Sequence, residues 1–501
     1  MFSLPRELRI IISPICNLNC LYCHKEGFKE NKPKEKITLI NENIKLFSKI
    51  FNLPQKIKEV SITGGEPTLF PSQLKKLIDY FRDKTENLTL ITNGTNPQFL
   101  IKYANYFTEM HLHLDVLDTV LRRKVMGRNS PSESQIKRLI QRICSKTKLR
   151  INSVVDDRYP IESFLELFFW AKEKKIRIGF IKPLLKESKN FEILKKLISL
   201  MNYRKLKQKG IRKIIYKNPE EHFVEFILCR CDAFINEGFS SREATKKCQR
   251  DVLSIDLSSG KLSFCFLNRG VKFDRFLDFS FQFRCPLCRR FTKRKFKSSI
   301  TKEEKEYEMR SPIQDIQEIK DQVDKLGSFV FKKIERVCDF IFYPKKIDKS
   351  NKLKKGDAVV RLRINKLLNR NSIISTVLNI KEKINNREWF EWETSSIKKP
   401  IYLISILNEF YHPKMILDRV RTTYLDNKSG TKIAIDEFKD GLGKFIEIEG
   451  KKDIVESLSR KLRLKKFPLA YGDIMNQKIK KQEISFTLKD FKNRAYQILT
   501  K

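Results

Sequence analysis

Three cysteines fall within one short run near the N-terminus, Cys16-Asn17-Leu18-Asn19-Cys20-Leu21-Tyr22-Cys23, directly after the apolar stretch Ile10-Ile11-Ile12. Thiolates are soft ligands that select zinc, copper(I) or iron–sulfur clusters. Three protein ligands on a 4Fe–4S cluster leave one iron open to bind and activate a small molecule. A structural zinc knuckle is the alternative, but zinc sites usually pair a CxxC with a second CxxC or with an HxxxH. The CxxxCxxC spacing, the aromatic Tyr22 before the third thiol and the preceding strand favour the cluster.

Composition sets the frame for this loop. A chain of 501 residues accommodates two or three domains, and its 41% hydrophobic content is ample for folded cores. The net charge of +43 favours anionic partners such as nucleotide phosphates, RNA or an anionic membrane. The lysines are spread through the whole chain, so solvated faces account for that charge equally well. The start lacks the apolar core of a signal peptide, and no apolar stretch is long enough to span a bilayer. A soluble, cytoplasmic protein with no membrane partner is expected. Eleven cysteines in such a chain argue for metal or redox sites rather than a disulfide framework.

Up to about residue 215, short β-rich runs alternate with helical stretches. Strands are expected at Arg9–Ile12, Glu59–Thr63, Leu88–Ile91, Glu109–Leu114, Arg150–Val155 and Ile176–Ile181. Helices are expected at Thr38–Phe51, with Thr38 as N-cap, and at Pro71–Phe81 and Ile161–Lys174. This rhythm implies βαβ units and a parallel sheet. Motifs recur at the strand ends: Thr63-Gly64-Gly65-Glu66-Pro67, Thr92-Asn93-Gly94-Thr95 and His113-Leu114-Asp115. Paired glycines let backbone approach a ligand closely, and a carboxylate can accept from an ammonium group.

Together with Cys16, Cys20 and Cys23, these motifs resemble the radical S-adenosylmethionine (SAM) enzymes. The resemblance implies a partial (βα)6, TIM-like barrel whose 4Fe–4S cluster binds SAM through its open iron and takes electrons from a donor. It also implies cofactor contacts from Tyr22, Gly64, Gly65, Glu66, Pro67, Thr92, Asn93, His113 and Leu184. Among such barrels the chain resembles the GTP cyclases of molybdenum-cofactor synthesis. Arg9, Thr92 and Arg150 match positions that contact GTP there, whereas Ser61 stands where an arginine is expected.

A second cysteine pattern spans residues 216–300. Ser254–Leu257 and Lys261–Phe264 read as a hairpin around Ser258-Ser259-Gly260, which lets Cys248 and Cys265 meet; Cys285-Pro-Leu-Cys288 completes four thiolates. The arrangement resembles the twitch extension, which carries an auxiliary 4Fe–4S cluster; four thiolates also suit zinc. Asp251, Leu253 and Ile255 replace the cysteine and arginines of the GTP cyclases, which weakens GTP as the substrate.

After the basic linker Arg289–Lys297 the texture changes. Glu306-Tyr-Glu308-Met-Arg310, Arg361-Leu-Arg363, Glu391-Trp-Glu393, Arg419-Val-Arg421 and Glu447-Ile-Glu449 each put two or three charges on one face of a strand. Closed into a barrel, such strands give a lumen with a basic and an acidic wall, which suits a polyphosphate with divalent metal. Their order, with Asp339, Lys381 and Asp436, resembles the CYTH superfamily of class IV adenylyl cyclases and thiamine-triphosphatase-like enzymes. Arg310 replaces the lysine of its ExExK signature.

The expected fold class is therefore α/β plus α+β: a radical SAM core (1–215), a twitch-like region and linker (216–300), an antiparallel triphosphate-tunnel barrel (301–476), and a tail (477–501) that forms a closing helix or a loose end. CYTH resemblance implies catalytic roles for Glu306, Glu308, Arg310 and Lys381. Phosphate binding falls to Arg361, Arg363, Arg419 and Arg421, and Mg²⁺ or Mn²⁺ to Glu447 and Glu449. The expected activity is reductive SAM cleavage to start hydrogen abstraction, coupled to cleavage or cyclisation of a triphosphate. The alternative is an RNA- or nucleotide-modifying enzyme whose C-terminal domain only holds the phosphorylated substrate.

Overall fold

The computed structural model describes residues 7–23, 33–50, 57–183, 187–201, 203–206, 212–228, 252–263, 271–272, 307–345, 357–368, 372–383, 389–395, 397–465, 471–482 and 484–500, with the single positions 233, 243 and 353. Leu184, Cys248, Cys265, Cys285, Cys288 and Glu306 lie outside these residues. The chain divides into two compact units, Met1–Tyr159 with Ser163–Phe296, and Pro160–Glu162 with Lys297–Lys501.

In the first unit six strands lie side by side in chain order, all parallel: β1 (Glu7–Ile11), β2 (Ile57–Thr63), β3 (Thr85–Thr92), β4 (Glu109–His113), β5 (Lys148–Val154) and β6 (Arg177–Ile181). This is the expected βα rhythm, with boundaries shifted by a residue or a few. Strands β7 (Arg204–Lys205), β8 (Lys213–Lys217) and β9 (Phe223–Ile227) extend the β6 edge, and β9 joins it in parallel. At the other edge β10 (Val252–Asp256) runs parallel to β1 and forms an antiparallel hairpin with β11 (Lys261–Ser263), followed by β12 (Val271–Lys272). Gly260 closes the hairpin turn at φ +63°, and Asp256 accepts the Ser258 N–H at 2.9 Å.

Strand residues alternate between faces. Leu8, Ile10, Val60, Ile62, Leu88, Leu90, Leu112, Ile151 and Phe180 are buried on one face. Arg9, Ser61, Thr89, His111 and Arg150 share the other, so one face of the sheet carries an apolar core and the other a row of polar side chains, most of them buried too. The first helix runs Pro33–Ile50. Thr38 is therefore inside it and is not its N-cap; proline fits the first helical turn because the N–H it lacks has no partner there.

The second unit is an eight-stranded antiparallel sheet. Its strands are β13 (Tyr307–Ile313), β14 (Val330–Pro344), β15 (Ala358–Leu367), β16 (Ser372–Lys383), β17 (Trp389–Thr394), β18 (Tyr411–Leu425), β19 (Lys432–Phe438) and β20 (Lys444–Gly450), in the order β13-β20-β19-β18-β14-β15-β16-β17. Helices Ile316–Asp324 and Lys452–Lys461 pack Val323 and Val455 against Met309, Ile446 and Ile448 on its outer face. Each such fully buried aliphatic side chain contributes about 1.5–3 kcal/mol. The tail is helical, over Tyr471–Gln482 and Leu488–Thr500. The first of these packs Tyr471, Met475 and Ile479 with Leu417, Phe438 and Phe445. The second seats Phe491 against Phe340 and Phe342, with ring centroids 5.5 and 5.0 Å apart. No helix among the described residues is long and apolar enough to cross a membrane.

Candidate functional site

The cysteine loop follows β1 and is tied down on two sides. Gly65 N–H donates to Ser13 O at 2.7 Å and Glu66 N–H to Ile15 O at 2.9 Å. A Cβ on Gly65 would stand 2.2 Å from Ile15 O, and one on Gly64 2.5 Å from Ser13 O, so only glycines allow the two backbones this approach. On the other side, Asn19 and Leu21 donate to the carbonyls of Met126 and Val125 at 3.0 and 2.9 Å, at the end of the helix Thr119–Met126. Cys16 and Cys23 are exposed and Cys20 is half-buried.

Glu66 is the hub behind the loop. It is buried, and its carboxylate accepts from Thr68 N at 3.0 Å, Thr68 Oγ1 at 2.6 Å, Thr92 Oγ1 at 2.8 Å and Asn93 N at 2.7 Å. Burial raises its pKa, against the pull of those donors. The carboxylate thus locks the turn after β2 to the end of β3. Asn93 in turn directs its amide at the Cys16 sulfur, 3.7 Å away, and at Asn17 Oδ1, 3.0 Å away. Leu18 N–H also donates to Cys16 Sγ at 3.4 Å.

Tyr22 is anchored through its hydroxyl. It donates to Asp115 Oδ2 and lies 3.0 Å from His113 Nε2. Asp115 is fully buried and also accepts from Tyr159 OH at 3.1 Å and Val154 N at 2.9 Å; His113 Nε2 lies 3.1 Å from its other oxygen. Burial, then the Asp115 charge, pushes the Cys20 thiol up to about 12. A bound metal's positive charge would favour the thiolate against that burial.

The resemblance implies a 4Fe–4S cluster, and the donor set fits it. Among the described residues no three His, Cys, Asp or Glu side chains converge on one metal-ion position, these thiols included. In a cubane each thiolate takes its own iron, and three thiols on one loop, two of them exposed, can supply three such ligands. N–H groups aimed at a ligand sulfur are the kind of neighbour that tunes such a cluster.

The polar face of the same sheet is internally paired. Arg150 donates to Glu225 Oε2 at 2.8 Å and Asn152 Oδ1 at 3.0 Å, and lies 3.1 Å from His111 Nδ1. Burial, then Arg150, lowers His111 to about 4, so the imidazole is neutral near pH 7. Glu225, on β9, was not foreseen; its strand lies beyond the six that the motifs mark.

In the second unit the charged pairs do share one face. Across β13 and β20, Arg310 opposes Glu447 and Glu308 opposes Glu449. Glu447 receives Arg310 and Arg421, each at 2.6 Å. Arg421 is also bidentate to Asp436, at 2.7 and 2.6 Å. Arg363 is bidentate to Asp339, at 2.6 and 3.0 Å, and Arg419 reaches the same carboxylate at 3.0 Å. Burial would raise Asp339, but Arg363, Arg419 and Arg361 outweigh it and hold the carboxyl far below its usual range. The expected basic wall is thus threaded with acids. Arg361 makes the longest ion pair of the four: Glu391 is 4.0 Å away, and Glu391 lies 3.1 Å from Lys381. Glu449 pairs with Lys432 at 3.3 Å. Tyr471 brings its ring to 4.2 Å from the Arg310 guanidinium, a contact no sequence pattern marked because it joins a tail helix to β13.

The motif ends, the glycine cradle and the parallel sheet of the first unit are those expected of a radical SAM domain. Residues 10–171 match the model of the Radical SAM superfamily. A "Probable GTP 3′,8-cyclase" of Methanococcus aeolicus is 35% identical over 133 residues, covering 25% of this chain and 42% of that protein. The chain thus spans less than half the length of that curated relative. Streptococcus suis SuiB, solved with bound S-adenosylmethionine, is similar in structure at 20% identity and TM-score 0.38, covering 54% of this chain and 60% of SuiB. HpAC1 from Hippeastrum, an adenylyl cyclase candidate described with a dominant triphosphatase activity, is similar at 15% identity and TM-score 0.26, covering 36% of this chain and 98% of its own.

Proposed function

We propose that the first unit reductively cleaves S-adenosylmethionine at a 4Fe–4S cluster on Cys16, Cys20 and Cys23, to start hydrogen abstraction from a substrate. The observation that supports this best is the cysteine loop itself, held between the Gly64-Gly65-Glu66 turn and the helix Thr119–Met126, with Asn93 on the Cys16 sulfur. When loaded and reduced, the cluster supplies the electron that generates a 5′-deoxyadenosyl radical from SAM. The chain's own residues do the rest. Gly64 and Gly65 let the loop and turn meet, and Glu66 fixes the backbone that lines the site. Tyr22 and His113, joined through Asp115, hold the loop end in place. An electron donor is required. The four thiols Cys248, Cys265, Cys285 and Cys288 would hold a second 4Fe–4S cluster.

For the second unit we propose binding of a triphosphate with Mg²⁺ or Mn²⁺, followed by cleavage or cyclisation. Glu308 directly opposes Glu449, and each now leans on a neighbouring cation, Glu308 on Arg310 and Glu449 on Lys432 at 3.3 Å; a divalent metal between the two carboxylates would take over that neutralisation. That pair, with Glu447 and Glu306, would hold the metal; Arg361, Arg363, Arg419 and Arg421 would take phosphate, with Arg310 and Lys381 at the reacting end. A second reading has a specific support. Arg363, Arg419 and Arg421 are already paired with carboxylates, and Arg310 stands for the signature lysine. On that reading the unit only holds a phosphorylated substrate, a nucleotide or RNA, for the radical chemistry.

Anaerobic reconstitution with iron and sulfide tests both metal assignments. About eight irons per chain support two clusters, about four exclude the second, and zinc without iron excludes the reading altogether. Incubation of the reconstituted chain with a nucleotide panel, following pyrophosphate, phosphate and cyclic nucleotide, separates catalysis in the second unit from binding alone.

A further inference from the structure

We propose that Asn379 and Arg361 form a second subsite on the charged face of the C-terminal sheet, one that takes the hydrogen-bonding organic group of a phosphorylated substrate and so selects a nucleoside triphosphate over bare triphosphate. It rests on the phosphate-binding reading above. Arg361 on β15 opposes Asn379 on β16, and Asn379 opposes Glu393 on β17. Cross-strand partners point to the same side, so Asn379 shares the face of Arg361, Arg363 and Lys381.

Asn379 is 0% exposed. Its Nδ2 donates to Glu391 Oε1. A carboxylate only accepts, which fixes the amide's orientation. Burial would raise Glu391, but Lys381, the Asn379 amide and Arg361 hold its carboxyl below the usual range. The remaining amide atom, Oδ1, is buried without a hydrogen-bond partner, and so is Nε of the neighbouring Arg361. A buried polar atom left without a partner is costly, and a ligand that pairs it recovers that cost. The two orphans sit on cross-strand partners and do not bond each other, so a ligand group that both donates and accepts would satisfy both.

A phosphate chain cannot be that group. Ionised phosphate oxygens accept but do not donate, so they satisfy Arg361 Nε and are repelled by Asn379 Oδ1 and the adjacent Glu391. A sugar hydroxyl or a base amide carries the missing donor. Arg361 then marks the junction, with its charge on the phosphate side and its Nε shared with the organic group.

Calorimetric titration of the full chain with ATP, GTP and inorganic triphosphate, each with Mg²⁺, tests this. The expected result is that Asn379→Leu weakens the better-bound nucleotide by about tenfold or more while inorganic triphosphate holds within about twofold. Asn379→Ala repeats the comparison should leucine disturb folding, judged by circular dichroism. Equal losses on nucleotide and triphosphate, or an unchanged nucleotide affinity, would overturn the subsite. Wild-type binding of triphosphate but no nucleotide would also overturn it and leave the phosphate reading standing. Binding of neither would overturn both.

Discussion

The side-chain amide of Asn93 lies 3.7 Å from the sulfur of Cys16, and the backbone N–H of the same asparagine donates to Glu66 at 2.7 Å. One residue at the end of β3 thus ties the first thiol of the cysteine loop to the glycine-rich turn after β2. Replacing Glu66 with Gln keeps the shape but turns half of the acceptor into a donor. Three of its four donors converge on Oε1 and one, the Asn93 N–H, on Oε2, so a glutamine with its oxygen at Oε1 strands that one donor. The expected outcome is a stability loss of about 1–3 kcal/mol in denaturant, with reduced iron uptake on reconstitution.

Gly65→Ala tests the cradle more directly. Its Cβ would stand 2.2 Å from Ile15 O and 2.4 Å from Ile15 C, and neither backbone atom can swing aside as a side chain would. Separation of the turn from the loop is expected, measured as loss of most of the iron that wild type retains under the same reconstitution.

Tyr22→Phe removes the hydroxyl that bonds Asp115 and His113 while leaving the ring. A modest destabilisation of about 1–2 kcal/mol is expected, because a buried carboxylate loses one of its donors. A loosened loop should also surrender its iron faster to a chelator. Unchanged release kinetics would show that the Tyr22–Asp115 contact does not hold the loop.

The pH dependence of the second unit follows from Asp339. Its folded pKa lies below the unfolded value of about 3.9, so its contribution is fully present above that value and is lost as pH falls through and below it. Stability in urea is expected to hold between pH 7 and pH 5 and to drop below about pH 4. Asp339→Asn should cost about 3–5 kcal/mol at pH 7, because Arg363 and Arg419 are left without their shared carboxylate, and should flatten the acid limb.

Much of this architecture was legible in the sequence because the signals are local. Cys16–Cys23, Thr63–Pro67 and Thr92–Thr95 each compress a site into a few consecutive residues, and period-two charge placed Arg361/Arg363 and Arg419/Arg421 on one face. What was not legible is pairing between distant segments. The sequence shows that Arg363 shares a face with Asp339 only through strand order, and it gives no sign that Asp339 neutralises two of the arginines meant for phosphate. Asp115 was visible beside His113 but unremarkable until β4, β5 and the cysteine loop met around it. The helix Pro33–Ile50 begins earlier than Thr38 suggests, and proline is a good first residue for it.

The opposed pair Glu308 and Glu449 makes a metal prediction. Mg²⁺ or Mn²⁺ bound only by the folded form raises the unfolding midpoint with concentration, by mass action. Glu449→Gln removes both the repulsion and the half-exposed Lys432 pair, so it is expected to leave the metal-free midpoint nearly unchanged and to abolish the Mn²⁺-dependent rise in a thermal melt.

The central claim is a SAM-cleaving cluster on Cys16, Cys20 and Cys23. Its most direct measurement is 5′-deoxyadenosine released by the anaerobically reconstituted chain with SAM and dithionite, beside Cys20→Ala treated identically. The account predicts 5′-deoxyadenosine from the wild type and none above background from the variant. An iron-loaded wild type that releases none, or a variant that matches it, would contradict the account.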